Sequence, residues 1–185
     1  FKPGEPIALM GPSGTAAHVP HNQSLLVVAD RIGATGMRAL APALKAAGNK
    51  VLFFMSFRNP GEVFCRDEFE LYCDEIVWVS LDGEIKPGRA QDKSYTGDVR
   101  DALKAYANGK LGGSFRFEDL DRLYFMGGGC LVQRLRDLKN NELKEKFAKN
   151  PPATGSAYSS MQCMLKGVCS QCLQWQVDPA TGKRT

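Results

Sequence analysis

Apolar runs alternate with amphipathic stretches along the chain. Four runs, residues 25–29, 51–55, 75–81 and 122–126, are largely continuous rather than apolar at every second position. Continuous runs of this length are typical of strands that are buried on both faces of a parallel sheet. A shorter run, residues 7–10, lies between two turn clusters and predicts the last strand of a preceding domain.

The stretches between these runs predict helices. After the first strand, apolar residues fall at helical spacing from Met37 to Leu44, and Gly48 supplies a C-terminal stop. Further helices are predicted over residues 62–73, from Thr96 or Gly97 to Gly109, and after Cys130 with Leu131, Leu135 and Leu138 on one face. Residues 84–94 are predicted as a surface loop. The sequence thus predicts an α/β fold, a doubly wound, Rossmann-like parallel sheet of about five strands with helices on both faces, followed by a small cysteine-rich loop.

A group of small residues follows the first strand. Gly33, Ala34, Thr35 and Gly36 are predicted to form a turn before a helix that starts at Met37. Because a helix N-terminus exposes unpaired N–H groups, such a turn can hold the pyrophosphate of a nucleotide. The segment does not match G-x-G-x-x-G, and tight backbone geometry alone also explains glycine there. Both interpretations remain open.

A second glycine cluster ends the fourth strand. Gly127, Gly128 and Gly129 precede Cys130 and open a helix, so a flat ligand could lie close to this backbone. The alternative is a packing cluster with a buried thiol.

Ser56 and Arg58 follow the second strand. Ligands bind at the carboxyl ends of parallel strands in open α/β sheets. These two side chains are therefore placed to contact an adenosine ribose or its 2′-phosphate, with a solvated loop charge as the alternative for Arg58.

Three of the six cysteines lie close together near the end of the chain. Cys163, Cys169 and Cys172 have the spacing C-x5-C-x2-C. Thiolates on a short glycine-containing loop are typical ligands of an iron–sulfur cluster. A zinc site and three unligated thiols are the alternatives. No cysteine follows Cys172, so this segment is expected to hold a cluster poorly or not at all without a further ligand.

Charge and hydropathy exclude two classes of partner. Lys and Arg are interspersed with Asp and Glu, and the net charge is only +4, so nucleic acid is not indicated. No apolar run approaches the ~20 residues of a membrane span, and the first residues lack the pattern of a signal peptide. The sequence predicts a cytoplasmic fragment of a longer chain.

Several of these motifs together resemble the ferredoxin–NADP reductase superfamily. The similar segments are residues 3–14, the small residues 33–36, residues 94–99, residues 126–130 and residues 161–172. More narrowly, the sequence looks like the electron-transfer subunit of dihydroorotate dehydrogenase and the small subunit of NADPH-dependent ferredoxin oxidoreductases, which also occur fused to glutamate-synthase-like chains.

The resemblance implies a division of the chain and an activity. Residues 1–23 would be the end of a truncated flavin-binding barrel and a linker, 24–152 an NAD(P)-binding domain, and 153–185 a partial iron–sulfur segment. The activity implied is hydride transfer from NAD(P)H to FAD, followed by single electrons passing through a [2Fe–2S] cluster. The partners implied are an upstream flavin-binding domain and a partner redox subunit or fused oxidoreductase domain. The fragment alone is expected to be inactive.

One departure from the family supports another interpretation. Asp30 and Arg31 stand where family members usually have small residues; Asp30 would repel a phosphate, and Arg31 would compensate. These residues favour the alternative of a non-catalytic docking module with the same fold. A zinc-stabilised binding domain is the other alternative.

Overall fold

One sheet organises the protein. The computed structural model describes residues 2–7, 17–158, 177–178 and 180–184. Within them, six parallel strands pair in the order β4-β3-β2-β1-β5-β6. The strands are β1 Ser24–Asp30, β2 Lys50–Phe57, β3 Glu75–Ser80, β4 Lys93–Thr96, β5 Arg122–Gly127 and β6 Ala153–Ala157. This all-parallel open sheet confirms the predicted doubly wound α/β fold.

Helices cover both faces of the sheet. They are α1 Arg31–Ala46, α2 Arg66–Tyr72, α3 Val99–Ala107 and α4 Gly129–Asn140, with short 3-10 helices at Pro60–Glu62, Phe117–Asp119 and Lys144–Lys146. The helices α1 and α2 pack on one face, where Met37 and Phe69 meet alternate residues of the central strands. The helices α3 and α4 pack on the other face, where Leu103 and Leu135 contact the intervening residues of the same strands. Burial on both faces explains the continuous apolar runs.

Both edge strands differ from the sequence prediction. The strand β4 begins inside the predicted surface loop, and β6 lies beyond the last predicted strand. β4 is half-buried and polar, and β6 is mostly exposed and built from small residues. An edge strand contacts a single neighbour and needs no apolar run, so hydropathy could not reveal either strand. Of the predicted strand at residues 7–10, positions 8–10 lie outside the described residues.

The strand register brings the ends of four strands to one edge of the sheet. Asp30 at the end of β1 pairs with Ser56 of β2, and Ala29 pairs with Met126 of β5 on the other side. Phe57, the last residue of β2, is in register with the end of β3. The chain passes from β1 to β2 in one direction and later returns to the opposite side of β1 with β5. The switch point of the topology therefore lies between β1 and β5.

Candidate functional site

A cavity of about 850 Å³ opens at the carboxyl ends of the central strands. Its lining comes from the β1–α1 junction, the end of β2 with the segment after it, the residue after β3, the β5–α4 junction and Tyr158 after β6. Ligand pockets in proteins commonly have volumes of about 300–1,000 Å³. The size and the position at the switch point both suit a nucleotide-sized ligand.

The β1–α1 junction differs from the predicted glycine turn. The helix α1 begins at Arg31, directly after the strand, so Gly33, Ala34, Thr35 and Gly36 lie in its first two turns rather than before it. Of these four, Thr35 lines the cavity, and its hydroxyl donates a hydrogen bond to the Ile32 carbonyl at 2.6 Å. The expected turn with a helix start at Met37 is wrong because Asp30 supplies an N-cap that starts the helix earlier.

The two glycines of α1 allow close packing. A Cβ on Gly33 would lie 2.1 Å from the carbonyl oxygen of Met126, so glycine lets α1 touch the β5 backbone. A Cβ on Gly36 would lie 2.0 Å from the hydroxyl of Tyr158. Burial raises the pKa of Tyr158, so this hydroxyl stays neutral beside the cavity. Both glycines therefore serve contacts within the protein.

The Asp30 carboxylate connects the two helix N-termini that face each other across the switch point. One oxygen accepts the Gly33 N–H of α1 at 2.8 Å, and the other accepts the Gly128 N–H at the start of α4, also at 2.8 Å. A carboxylate at this place satisfies backbone donors that a phosphate group could otherwise contact. The sequence analysis treated Asp30 as a departure from a family pattern and did not predict its role as a bridge.

Of the second glycine cluster and Cys130, only Gly128 is among the residues that line the cavity. Gly128 lines the cavity as the N-cap of α4. A Cβ on Gly127 would lie 2.5 Å from the Asp30 carboxylate, whereas a Cβ on Gly129 would meet open space. The Cys130 side chain is exposed on α4, which removes the alternative of a buried thiol.

Ser56 and Arg58 both line the cavity, at the end of β2. The backbone here is fixed on both sides: the Arg58 N–H donates to the Glu62 carboxylate at 3.1 Å, and the Arg58 carbonyl accepts the Asp82 N–H at 2.9 Å. The Arg58 side chain is exposed. Ser56 of β2 and Arg58 just after it thus line the same cavity as residues of the β1–α1 and β5–α4 junctions, and their role as ligand-binding residues stays a prediction.

Charges of both signs face this space. Arg31 and Arg58 contribute two guanidinium groups to the lining, and Asp30 and Glu62 contribute two carboxylates. Within the described part of the chain, the arginine ion pairs involve other residues, so Arg31 and Arg58 remain available to an anionic ligand.

An apolar rim was missed by the sequence analysis. Ile32 and Leu81 line the cavity although each is more than half exposed, and Phe57 and Phe64 lie beside them with their rings edge to face. Exposed apolar side chains around a concave site favour contact with a flat, apolar part of a ligand. The only sequence signal for this rim was Ile32, an apolar residue that lies outside the apolar stripe of its own helix.

The proposed metal ligands cannot be placed. Cys163, Cys169 and Cys172 lie outside the described residues. Among the residues that the structure describes, no three His, Cys, Asp or Glu side chains group together as they would around a metal ion. In the same part of the chain, no helix has the length and apolar character to cross a membrane.

The fold and the cavity define an α/β protein with an open cavity at its topological switch point. No family model matches the chain. Its fold is similar to that of the NADH-dependent reduced ferredoxin–NADP oxidoreductase, a structure that concerns flavin-based electron bifurcation, with 22% identity and a TM-score of 0.57. The alignment covers 82% of this chain and 46% of that one, so the chain spans less than half of that protein.

A second similar structure is the C-terminal domain of a hydrogenase from Pyrococcus furiosus. The identity is 18% and the TM-score 0.52, over 78% of this chain and 99% of that domain. At these identities the likeness shows a similar fold and nothing narrower. The narrower resemblance to the dihydroorotate dehydrogenase subunit stays a prediction.

Proposed function

We propose that the chain is the NAD(P)H-binding part of an oxidoreductase in which hydride passes to FAD on an upstream flavin-binding domain. A [2Fe–2S] cluster then carries electrons to a partner redox subunit or fused oxidoreductase domain. The observation that carries the proposal is the cavity of about 850 Å³ at the switch point, with Ser56 and Arg58 on its β2 side. The similar structures are redox proteins by name, which supports the same class of function.

The residues of the cavity have distinct roles in this proposal. Ser56 and Arg58 bind the adenosine ribose or its 2′-phosphate, because a guanidinium forms strong charge-assisted bonds to phosphate. Ile32 and Leu81 exclude water from an apolar part of the ligand. The backbone at Gly128 and the start of α4 lie beside the nicotinamide. The nucleotide supplies the hydride, and the protein supplies orientation and electrostatics.

Nucleotide titrations test this function directly. We expect calorimetry on the 185-residue chain to show binding of NADH or NADPH, and Arg58→Ala to weaken NADPH binding roughly tenfold or more, as expected for a lost charge-assisted hydrogen bond. Arg134→Ala is the matched control, because Arg134 is an exposed arginine of α4 away from the cavity. Absence of binding by either nucleotide at millimolar concentration would contradict the proposed function.

A second candidate function is a docking module without nucleotide binding. It is favoured by the Asp30 carboxylate, which fills the position between the two backbone N–H groups. The same titration separates the two functions, because a docking module of this kind binds neither nucleotide. Its fold and its melting temperature would be unaffected by Arg58→Ala.

The iron–sulfur part of the proposal has its own test. Cys163, Cys169 and Cys172 would be cluster ligands, and the rival is zinc. We expect the full-length protein, purified without oxygen, to contain iron and to show visible absorption that is lost when Cys169 and Cys172 are changed to serine. If the protein instead contains zinc and shows no visible absorption, the segment is a zinc-stabilised domain and not a cluster site.

A further inference from the structure

The Asp30 side chain is held differently from an ordinary helix N-cap of the same protein. Asp98 caps α3 through one oxygen, which accepts the Arg100 N–H at 2.8 Å and also pairs with the Arg100 guanidinium. Asp30 instead uses each of its two oxygens for a separate helix, and both partners are backbone N–H groups. The carboxylate thus belongs to the junction of α1 and α4 and faces the cavity.

The surrounding backbone is shaped to admit this carboxylate. Gly127 has a φ of 152°, in the range that favours glycine, and a Cβ there would lie within 2.5–2.7 Å of all three carboxyl atoms of Asp30. Any other residue at this position would displace the Asp30 side chain. The contact therefore depends on both residues, the Asp30 carboxylate and Gly127.

We infer that Asp30 is a specificity-determining residue of the cavity: its carboxylate takes the position between the Gly33 and Gly128 N–H groups and so disfavours ligands that carry a phosphate there. This inference rests on the proposed function, because it concerns how the same cavity selects its nucleotide. The two donors are already satisfied, and a fixed negative charge repels a second anion at short range. A pyrophosphate would then be held by the Arg31 and Arg58 guanidinium groups of the same lining rather than by these two N–H groups.

The first experiment asks whether the carboxylate occupies an anion position, and it needs no nucleotide. Asp30→Ala removes the carboxyl group and leaves the space and both N–H groups. We expect the melting temperature of Asp30→Ala to rise saturably with inorganic phosphate at constant ionic strength, and to rise clearly more than that of the wild-type protein, in which only Arg31 and Arg58 of the cavity attract the anion. Asp30→Asn keeps the space filled and Asp67→Ala removes an exposed carboxylate from the first turn of α2, so neither should show the saturable rise.

The second experiment asks whether the carboxylate sets nucleotide affinity. We expect Asp30→Ala to bind NADH and NADPH about tenfold more tightly than the wild-type protein, equivalent to removing a modest repulsion. Should Asp30→Ala fold too poorly, Asp30→Ser takes its place, because a serine hydroxyl still caps α1 and leaves the Gly128 N–H free.

The outcomes separate the inference from the proposed function. Equal phosphate responses in the wild-type protein and all three variants would overturn the inference, as would unchanged or weaker nucleotide binding by Asp30→Ala when the wild-type protein binds. If no protein binds either nucleotide, the proposed function fails, and the phosphate experiment alone decides the role of Asp30.

Discussion

Gly33→Ala is expected to lower the free energy of unfolding by about 3 kcal/mol, at the upper end of the usual cost of overpacking a core. The added Cβ would lie 2.1 Å from the Met126 oxygen, 2.4 Å from the Met126 carbonyl carbon and 2.9 Å from the Gly127 nitrogen. All three atoms belong to the backbone of β5, so no side-chain rotation relieves the contact. The helix must move away from the strand, which outweighs the gain of about 1 kcal/mol that alanine brings to a helix interior.

Gly129→Ala is the matched control for this prediction. Gly129 is the first residue of α4 at the same edge of the sheet, and a Cβ there meets nothing within 4 Å. Urea unfolding should show Gly129→Ala to be neutral or more stable by about 0.5–1 kcal/mol, because alanine reduces the entropy of the unfolded chain. Equal losses in the two variants would show that α1 does not depend on close contact with β5.

The same displacement has a consequence for the cavity. Moving α1 away from β5 separates the Gly33 and Gly128 N–H groups, which the Asp30 carboxylate now spans at 2.8 Å each. Nucleotide affinity of Gly33→Ala, measured well below its melting temperature, should therefore change as well, while that of the control Arg134→Ala should not.

The central part of the fold was predictable because burial on both faces leaves a strong pattern. Strands β1, β2, β3 and β5 coincide with the four continuous apolar runs, and Leu135 and Leu138 of α4 are buried as their spacing predicts. The edge strands β4 and β6 leave no such pattern, since their pairing is made by backbone hydrogen bonds that any sequence can form.

The site was predictable in its location but not in its interactions. The positions of Ser56, Arg58 and Gly128 follow from strand order alone, because the ends of parallel strands meet at one edge. The role of Asp30 depends on a contact to Gly128, 98 residues away, which no local pattern reveals. An N-cap at Asp30 was within reach of the sequence, because aspartate is a preferred residue at helix starts.

Glycine illustrates why residue type alone does not define a site. Gly33 admits the backbone of a neighbouring strand, Gly127 admits a carboxylate, and Gly129 faces open space. In the sequence all three are equivalent signs of a close approach to a ligand. The three roles are distinguished by what each glycine contacts, and only the tertiary structure shows these contacts.

A buried ion pair at the opposite end of the sheet holds the connection between β3 and β4. The Asp92 carboxylate is fully buried and accepts the Ile76 N–H at 2.9 Å and two Arg89 donors at 2.7 and 3.0 Å. Arg89 also donates to the carbonyls of Glu70 and Cys73 at the end of α2. No helix spans residues 81–92, so these bonds anchor the end of the crossover that enters β4.

Asp92→Ala is therefore expected to lower the free energy of unfolding by about 3–5 kcal/mol, because it leaves the Arg89 guanidinium in a largely buried place without its counter-charge. Asp121→Ala is the matched control: like Asp92, Asp121 accepts an N–H near the start of a strand, from Ser24 of β1, and pairs with a cation, Lys149, but at the surface. Its loss should cost roughly 1 kcal/mol or less.

The contribution of Asp121 should also depend on pH. The hydrogen bonds from Lys149 and from the Ser24 N–H hold the pKa of Asp121 below its usual range. Its small contribution is thus present above the ordinary aspartate pKa and is lost as the pH falls through the lowered value. Urea unfolding at neutral pH measures the cost of each substitution. Urea unfolding of the wild-type protein and Asp121→Ala below the lowered pKa of Asp121 shows whether the contribution of Asp121 is lost. Similar losses for Asp92→Ala and Asp121→Ala at neutral pH would contradict the argument, because burial is the main difference between the two sites.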